Sequence, residues 1–312
     1  MYGGMVLMSI DLGGVFVAST SPFDSRTGDL DTAGLEINLD HYLSYPIRGV
    51  LVGGSTGEAV LLDNAEKVEV LKVTRQKLGS EHLLIAGTGA ESTRMTKDRC
   101  RVAADCGANA VLVQPPAFYR GAMTESVLMR HYTEVAETSV LPVIVYQVPL
   151  RLSTLEFSER LISELSEVDN IIGIKDSRGD IDIVRQMVAT TKPGFQILVG
   201  SGAILAPCLE LGASGGILAV ANLAPECATN IYTSFKNGDL DGAARQQEML
   251  SPVHNAVVGS MGIPGVKAGL DIIGMRGGTP RAPLTALNGV GKGKVLQLLE
   301  ELGLDLKNAS IR

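Results

Sequence analysis

The sequence predicts an α/β fold, a (β/α)8 TIM barrel with a C-terminal helical extension, and three observations carry that expectation. Eight short runs rich in Val, Ile and Leu lie between residues 13 and 222. They are almost continuously apolar instead of alternating, as strands buried on both faces of a parallel sheet must be. Amphipathic segments of helical length separate them, and no strand-like run follows the eighth. Count and length suit a closed barrel, with a doubly wound open sheet of the same units as the alternative.

In chain order, GGVFVAS (13–19) reads as the first strand and RGVLVGG (48–54) as the second. The glycine-rich loop GGSTGE (53–58) follows, and then the helix NAEKVEVLKVTRQKLG (64–79), closed by a glycine suited to a left-handed C-cap. LLIAGTG (83–89) is the third strand, and the helix after it, TRMTKDRCRVAADCG (93–107), again ends at glycine. AVLVQPP (110–116), PVIVYQVP (142–149), IIGIKDS (171–177), QILVGSG (196–202) and GGILAVAN (215–222) complete the eight. Four helical pieces remain: APECATNIYTSFKNG, DGAARQQEMLSPVHNAVVGSMG, GVKAGLDIIG and GKVLQLLEELG. They divide the chain into a barrel core, 1–224, and a helical region, 225–312, expected to pack on the barrel.

A net charge of -7 lacks the clustered Lys and Arg that displace counterions from phosphates, so no nucleic-acid partner is expected. Aromatic residues at 4% and the absence of Trp argue against a base-stacking surface. The most apolar stretches are broken by Gly, Pro or Asn, so no membrane span is expected. The opening MYGGMVLMSIDLGG has neither a basic n-region nor an Arg-rich amphipathic character, and a cytoplasmic address is the expectation. Cys100, Cys106, Cys208 and Cys227 lack CxxC spacing and read as reduced, buried thiols. His41, His82, His131 and His254 fall in no HxH or HExxH spacing, so no metal is expected. GTGAES (87–92) lacks the GxGxxG spacing of a dinucleotide site.

A barrel of this kind carries its chemistry at the C-terminal ends of its strands. Ser55 and Thr56 after the second strand, Phe118 and Tyr119 after the fourth, Tyr146 on the fifth and Lys175 on the sixth share that rim. Lys175 is the single lysine ending an apolar run in NIIGIKDSRGD (170–180). Desolvation at the mouth disfavours the ammonium form, and a neutral amine adds to a ketone to give a Schiff base. An ordinary strand-end lysine paired with Asp176 or another carboxylate is the other reading. The glycines of GGSTGE permit a loop whose N–H groups converge on an anion such as a carboxylate, with the Ser55 and Thr56 hydroxyls beside them. A plain turn is the alternative.

GGSTGE, PPAFYRG (115–121), VYQVP (145–149) and GIKDSRGD (173–180), in this order and at these spacings, resemble the dihydrodipicolinate synthase / N-acetylneuraminate lyase family of class I, pyruvate-dependent aldolases. The likeness runs from residue 13 to beyond residue 285. It implies Lys175 as the Schiff-base lysine, Tyr146 as the phenol that moves protons to the substrate hydroxyl and imine, and Ser55 as the relay hydroxyl. Tyr119 matches an aromatic hydroxyl that reaches into a neighbouring subunit's site, which implies a homo-oligomer, dimer or tetramer. Thr56 and Ser55, with the backbone of Ile217, match the group that holds the pyruvate carboxylate, while Ser177 and Gly200 match positions near the rest of the substrate. The implied partner is a small-molecule 2-oxo acid. No cofactor is implied beyond the covalent Schiff base between Lys175 and that acid.

Within the family, PAFYRGAMTES, GIKDSRGD, GIPGVKAGLDIIG (262–274) and PRAPL (280–284) are most similar to 4-hydroxy-2-oxoglutarate aldolase and the 2-keto-3-deoxy sugar acid aldolases. That implies retro-aldol cleavage of a 4-hydroxy-2-oxo acid to pyruvate plus an aldehyde. Arg151 in YQVPLRLS keeps a second reaction open, because the synthases carry an arginine there for the second substrate's carboxylate. A planar guanidinium suits bidentate carboxylate binding, and a solvent-facing loop arginine is the plain alternative. The competing activities are thus dihydrodipicolinate synthase, condensing pyruvate with aspartate semialdehyde, and a non-catalytic barrel that binds a 2-oxo acid.

Overall fold

The computed structural model describes residues 10–304 and 306. Residues 1–9, on which the expectation of no leader segment partly rests, lie outside the described residues, as do 305 and 307–312 of the C-terminal region.

Eight parallel strands close into a barrel in chain order: β1 (Gly14–Ala18), β2 (Gly49–Val52), β3 (Leu83–Gly87), β4 (Ala110–Val113), β5 (Val143–Gln147), β6 (Ile171–Asp176), β7 (Gln196–Val199) and β8 (Gly215–Leu218). The ring closes where β8 pairs with β1, with Phe16 opposite Ile217, which rules out the open sheet. Seven helices cover the successive crossovers: α1 (Thr32–Leu43), α2 (Asn64–Lys77), α3 (Thr93–Asp105), α4 (Glu125–Thr138), α5 (Glu159–Ser166), α6 (Ile181–Thr190) and α7 (Leu205–Glu210). The next, α8 (Pro225–Lys236), packs against α7 and β1 in the eighth outer position. Beyond it the chain continues through α9 (Leu240–Val253), a π-helical stretch (His254–Met261), α10 (Gly262–Ile272) and α11 (Gly289–Glu301).

The strands read as continuous apolar runs because they feed two apolar shells. Phe16, Leu51, Ile85, Leu112, Ile144, Leu198 and Ile217 fill the barrel interior. Their neighbours Val15, Val17, Val50, Val52, Leu84, Val111, Val143 and Ile197 pack outward under the helices. Burying each such side chain contributes roughly 1.5–3 kcal/mol before the entropy of ordering it is counted.

Helix ends follow local chemistry. Asp63 and Glu66 form a reciprocal capping box at the start of α2, and Ser92, Thr124 and Ser158 cap α3, α4 and α5. Of the two glycines expected to close helices, Gly107 is left-handed, at φ +81°. Gly79 is not: α2 ends with Leu78 extended, and the Arg75 guanidinium takes the carbonyls of Leu78 and Gly79. A side-chain donor there replaces the backbone reversal. The four cysteines are free thiols, with Cys106 only half-buried at the end of α3.

Candidate active site

Two strands bring the central pair together. Tyr146 on β5 and Lys175 on β6 are register partners, and the Lys175 Nζ stands 4.7 Å from the centre of the Tyr146 ring. An irregularity in β6 makes this possible. Val143 pairs with Ile171 but Ile144 with Gly173, so Ile172 is an extra residue against β5. Ile171 and Ile174, three residues apart, both pack in the outer shell. Strict alternation from Ile171 sends Lys175 outward too; the bulge turns it into the barrel mouth instead.

Lys175 is only 5% exposed, and burial alone lowers its ammonium pKa to about 7. It has no carboxylate partner among the described residues. Asp176 lies on the opposite face of the strand, where burial raises its carboxyl to about 7 and one oxygen, Oδ2, finds no hydrogen-bond donor. The ion-pair reading of Lys175 with Asp176 is thereby excluded.

A cavity of about 580 Å³ opens at the C-terminal ends of the strands, and its walls include Lys175, Tyr146, Ser55, Thr56, Ser177, Gly200, Ile217 and Arg151. Burial raises the pKa of the Tyr146 phenol while the Ser55 and Ser177 hydroxyls pull it down, and burial prevails. The phenol therefore stays protonated, and a proton path away from it would need a neighbouring hydroxyl. Gly200 is required at its place, since a Cβ there would sit 1.9 Å from Ser177 Oγ. The Gly200 N–H also donates to the Asp176 carbonyl at 2.5 Å.

The N–H groups of Gly57, Glu58 and Ala59 donate to the carbonyls of Gly54, Ser55 and Gly54. Those of Ser55 and Thr56 have no acceptor among the described residues, and both residues line the cavity. Two free amides beside two hydroxyls are groups with which a loop can hold an anion.

Arg151 stands over the mouth, its Nη1 3.5 Å from the Gly259 carbonyl, and its charge bears on both Tyr146 and His254. Gly262, at φ +67°, leaves the room it occupies: a Cβ there would meet Nη1 at 3.1 Å. Tyr119 is not brought to this cavity. It is 71% exposed and stacks edge-on with the equally exposed Phe118, their ring centres 5.1 Å apart.

Sequence reading missed His254, Ser201, Arg178 and the α10 start as cavity wall. No local pattern marks a residue whose place depends on the end of α9 packing against the loop after β7. Among the described residues no group of three His, Cys, Asp or Glu could hold a metal ion, and no helix is long and apolar enough to cross a membrane.

The family model for the dihydrodipicolinate synthetase family matches residues 11–302. The chain is 31% identical over 297 residues to the 4-hydroxy-tetrahydrodipicolinate synthase of Methanopyrus kandleri, covering 95% of this chain and 98% of that one. It is 34% identical over 273 residues to the synthase of the same name from Methanospirillum hungatei, covering 87% and 92%. Among solved structures, the dihydrodipicolinate synthase of Acinetobacter baumannii complexed with pyruvate superposes with a TM-score of 0.88 at 28% identity, over 93% of this chain and 99% of that one. The chain therefore belongs to the dihydrodipicolinate synthetase family, enzymes of the class I pyruvate-dependent aldolase group whose lysine forms a Schiff base with pyruvate without an external cofactor.

Proposed function

We propose that this chain condenses pyruvate with aspartate semialdehyde, as a 4-hydroxy-tetrahydrodipicolinate synthase. The observation that carries this reading is Arg151, a permanent cation in the same cavity as Lys175, where the carboxylate of an aldehyde acid needs one. The names of the relatives favour it over the retro-aldol cleavage that the loop likenesses suggest.

In this mechanism the neutral Lys175 amine attacks C2 of pyruvate, whose carboxylate rests on the Ser55 and Thr56 amides and hydroxyls. Protons passed through Tyr146 and Ser55 let the C2 oxygen leave as water, giving an iminium. The iminium draws electrons from C3, a C3 proton leaves, and the resulting enamine attacks the aldehyde carbon. Tyr146 protonates the new alkoxide. The amine of the second substrate then displaces Lys175 at C2, closing the ring and freeing the enzyme. Retro-aldol cleavage uses the same amine and phenol in reverse and remains the second reading, on the likeness of PAFYRGAMTES and PRAPL to the hydroxy-oxo-acid aldolases. A non-catalytic binder has no use for an amine held near neutrality beside a relayed phenol.

The test is to incubate the protein with pyruvate, reduce with borohydride and map the modified peptide. An adduct on Lys175 is expected; a folded protein without it ends every Schiff-base reading. Turnover of pyruvate with aspartate semialdehyde well above cleavage of 4-hydroxy-2-oxoglutarate supports the synthase, and the reverse ranking supports the aldolase.

A further inference from the structure

His254 begins the π-helical stretch after α9, is 8% exposed, and lines the Lys175 cavity without a part in the steps above. Both ring nitrogens are engaged. The Gly202 N–H donates to Nδ1 at 3.2 Å, and Nε2 lies 3.2 Å from Ser201 Oγ. A backbone amide only donates, so Nδ1 is the unprotonated nitrogen. In the neutral ring the hydrogen then sits on Nε2, which donates to Ser201 Oγ. Burial, with the Arg151 charge adding to it, lowers the imidazole pKa to about 4, so the ring is neutral at working pH. The Ser201 hydrogen must therefore be given to something else. Among the described residues nothing accepts it, and Ser201 lines the cavity next to Gly200.

We infer that His254 is a positioning residue that fixes Ser201 as a hydrogen-bond donor to the second substrate, taking a carboxylate oxygen of the aldehyde acid in the cavity that Arg151 makes cationic. This deepens the reading of Lys175 as the pyruvate-binding amine and rests on it. The division of labour is spatial. Ser55 and Thr56 follow β2 and serve pyruvate, whereas Ser201 follows β7 and serves what reacts with it. A serine whose lone pair is already occupied by an imidazole N–H favours an acceptor ligand over a donor. Gly202 keeps its amide close to the ring, for a Cβ there would meet Val220 Cγ1 at 2.5 Å and His254 Nδ1 at 3.2 Å.

Ser201→Ala, His254→Phe and His254→Gln in the full chain test the inference, each measured by borohydride trapping of pyruvate on Lys175 and by steady-state turnover. In Ser201→Ala, trapping and the KM for pyruvate should stay within about two-fold, while the KM for aspartate semialdehyde rises roughly ten-fold or more, the loss of a hydrogen bond to a charged group. His254→Phe should follow it, and His254→Gln, which keeps one acceptor and one donor, should recover part of the loss. An unchanged aldehyde KM in Ser201→Ala overturns the inference, as does an equal loss of pyruvate trapping, which marks a packing role. Wild-type protein that traps no pyruvate on Lys175 overturns instead the reading beneath it.

Discussion

Lys175 owes its reactivity to what is missing around it. With burial the only cause of its lowered pKa, the neutral fraction of the amine is set by pH around 7. The initial rate of pyruvate trapping should rise with pH through about 7 and then level off, falling to about one-tenth of the plateau one unit below. The same shift acts on stability. The folded chain holds this proton less tightly than the unfolded chain, so the penalty is fully present below pH 7 and is relieved as pH rises toward the ordinary lysine value of 10.5. Lys175→Met should therefore gain more in urea midpoint over wild type at pH 6 than at pH 10. Tyr146→Phe keeps the ring beside Lys175 but removes the proton carrier, so some imine should still form while turnover falls about 10²–10⁴-fold.

The elements are positioned by single residues with no spare room. Gly200 lets the β7 end approach β6 so closely that the Ser177 hydroxyl fills the place a Cβ would take. Gly200→Ala should displace the Ser177 hydroxyl and lower kcat/KM about ten- to hundred-fold, while the far-ultraviolet spectrum stays that of the barrel. Retained activity in this variant would show that Ser177 takes no part in the relay. The strands were legible in the sequence because each fills two apolar shells, yet the run IIGIKDS gave no sign of its bulge. An extra residue in one strand is defined only against its partner strand, and that partner lies about thirty residues away in the chain.

The whole molecule is tied together through the same GGSTGE loop that borders the cavity. Glu58, at φ +55°, points away from the cavity and pairs with Lys267 of α10, Nζ to Oε1 at 2.5 Å, both side chains at most 1% exposed. Its other oxygen accepts the Arg281 N–H at 2.8 Å, and the Arg281 guanidinium holds Glu66 with two bonds of 2.6 Å. Lys267→Met should destabilise the chain by about 3–5 kcal/mol by stranding a buried carboxylate, read as a lower urea midpoint. Glu58→Gln with Lys267→Met should recover much of it, since no charge is then left unpaired. At this scale too belongs Tyr119, exposed in the single chain and proposed to serve a neighbour's cavity. Mixing inactive Lys175→Ala with impaired Tyr119→Phe chains should then restore activity through sites that combine one intact residue from each; no restoration on mixing would place the Tyr119 role within one chain or nowhere.

By itself the sequence determined the barrel, the number of its strands, the rim on which Ser55, Thr56, Tyr146 and Lys175 stand, and the family, because these follow from local periodicity and from motifs a few residues long. Tertiary structure alone decided that Lys175 faces inward, that Arg151, though exposed, borders the same cavity, that Tyr119 stands apart, and that His254 and Ser201 join the wall. Each of these depends on which distant backbone is packed alongside, and a side chain's direction, dielectric and proton are set by that neighbour rather than by the residues next to it in the chain.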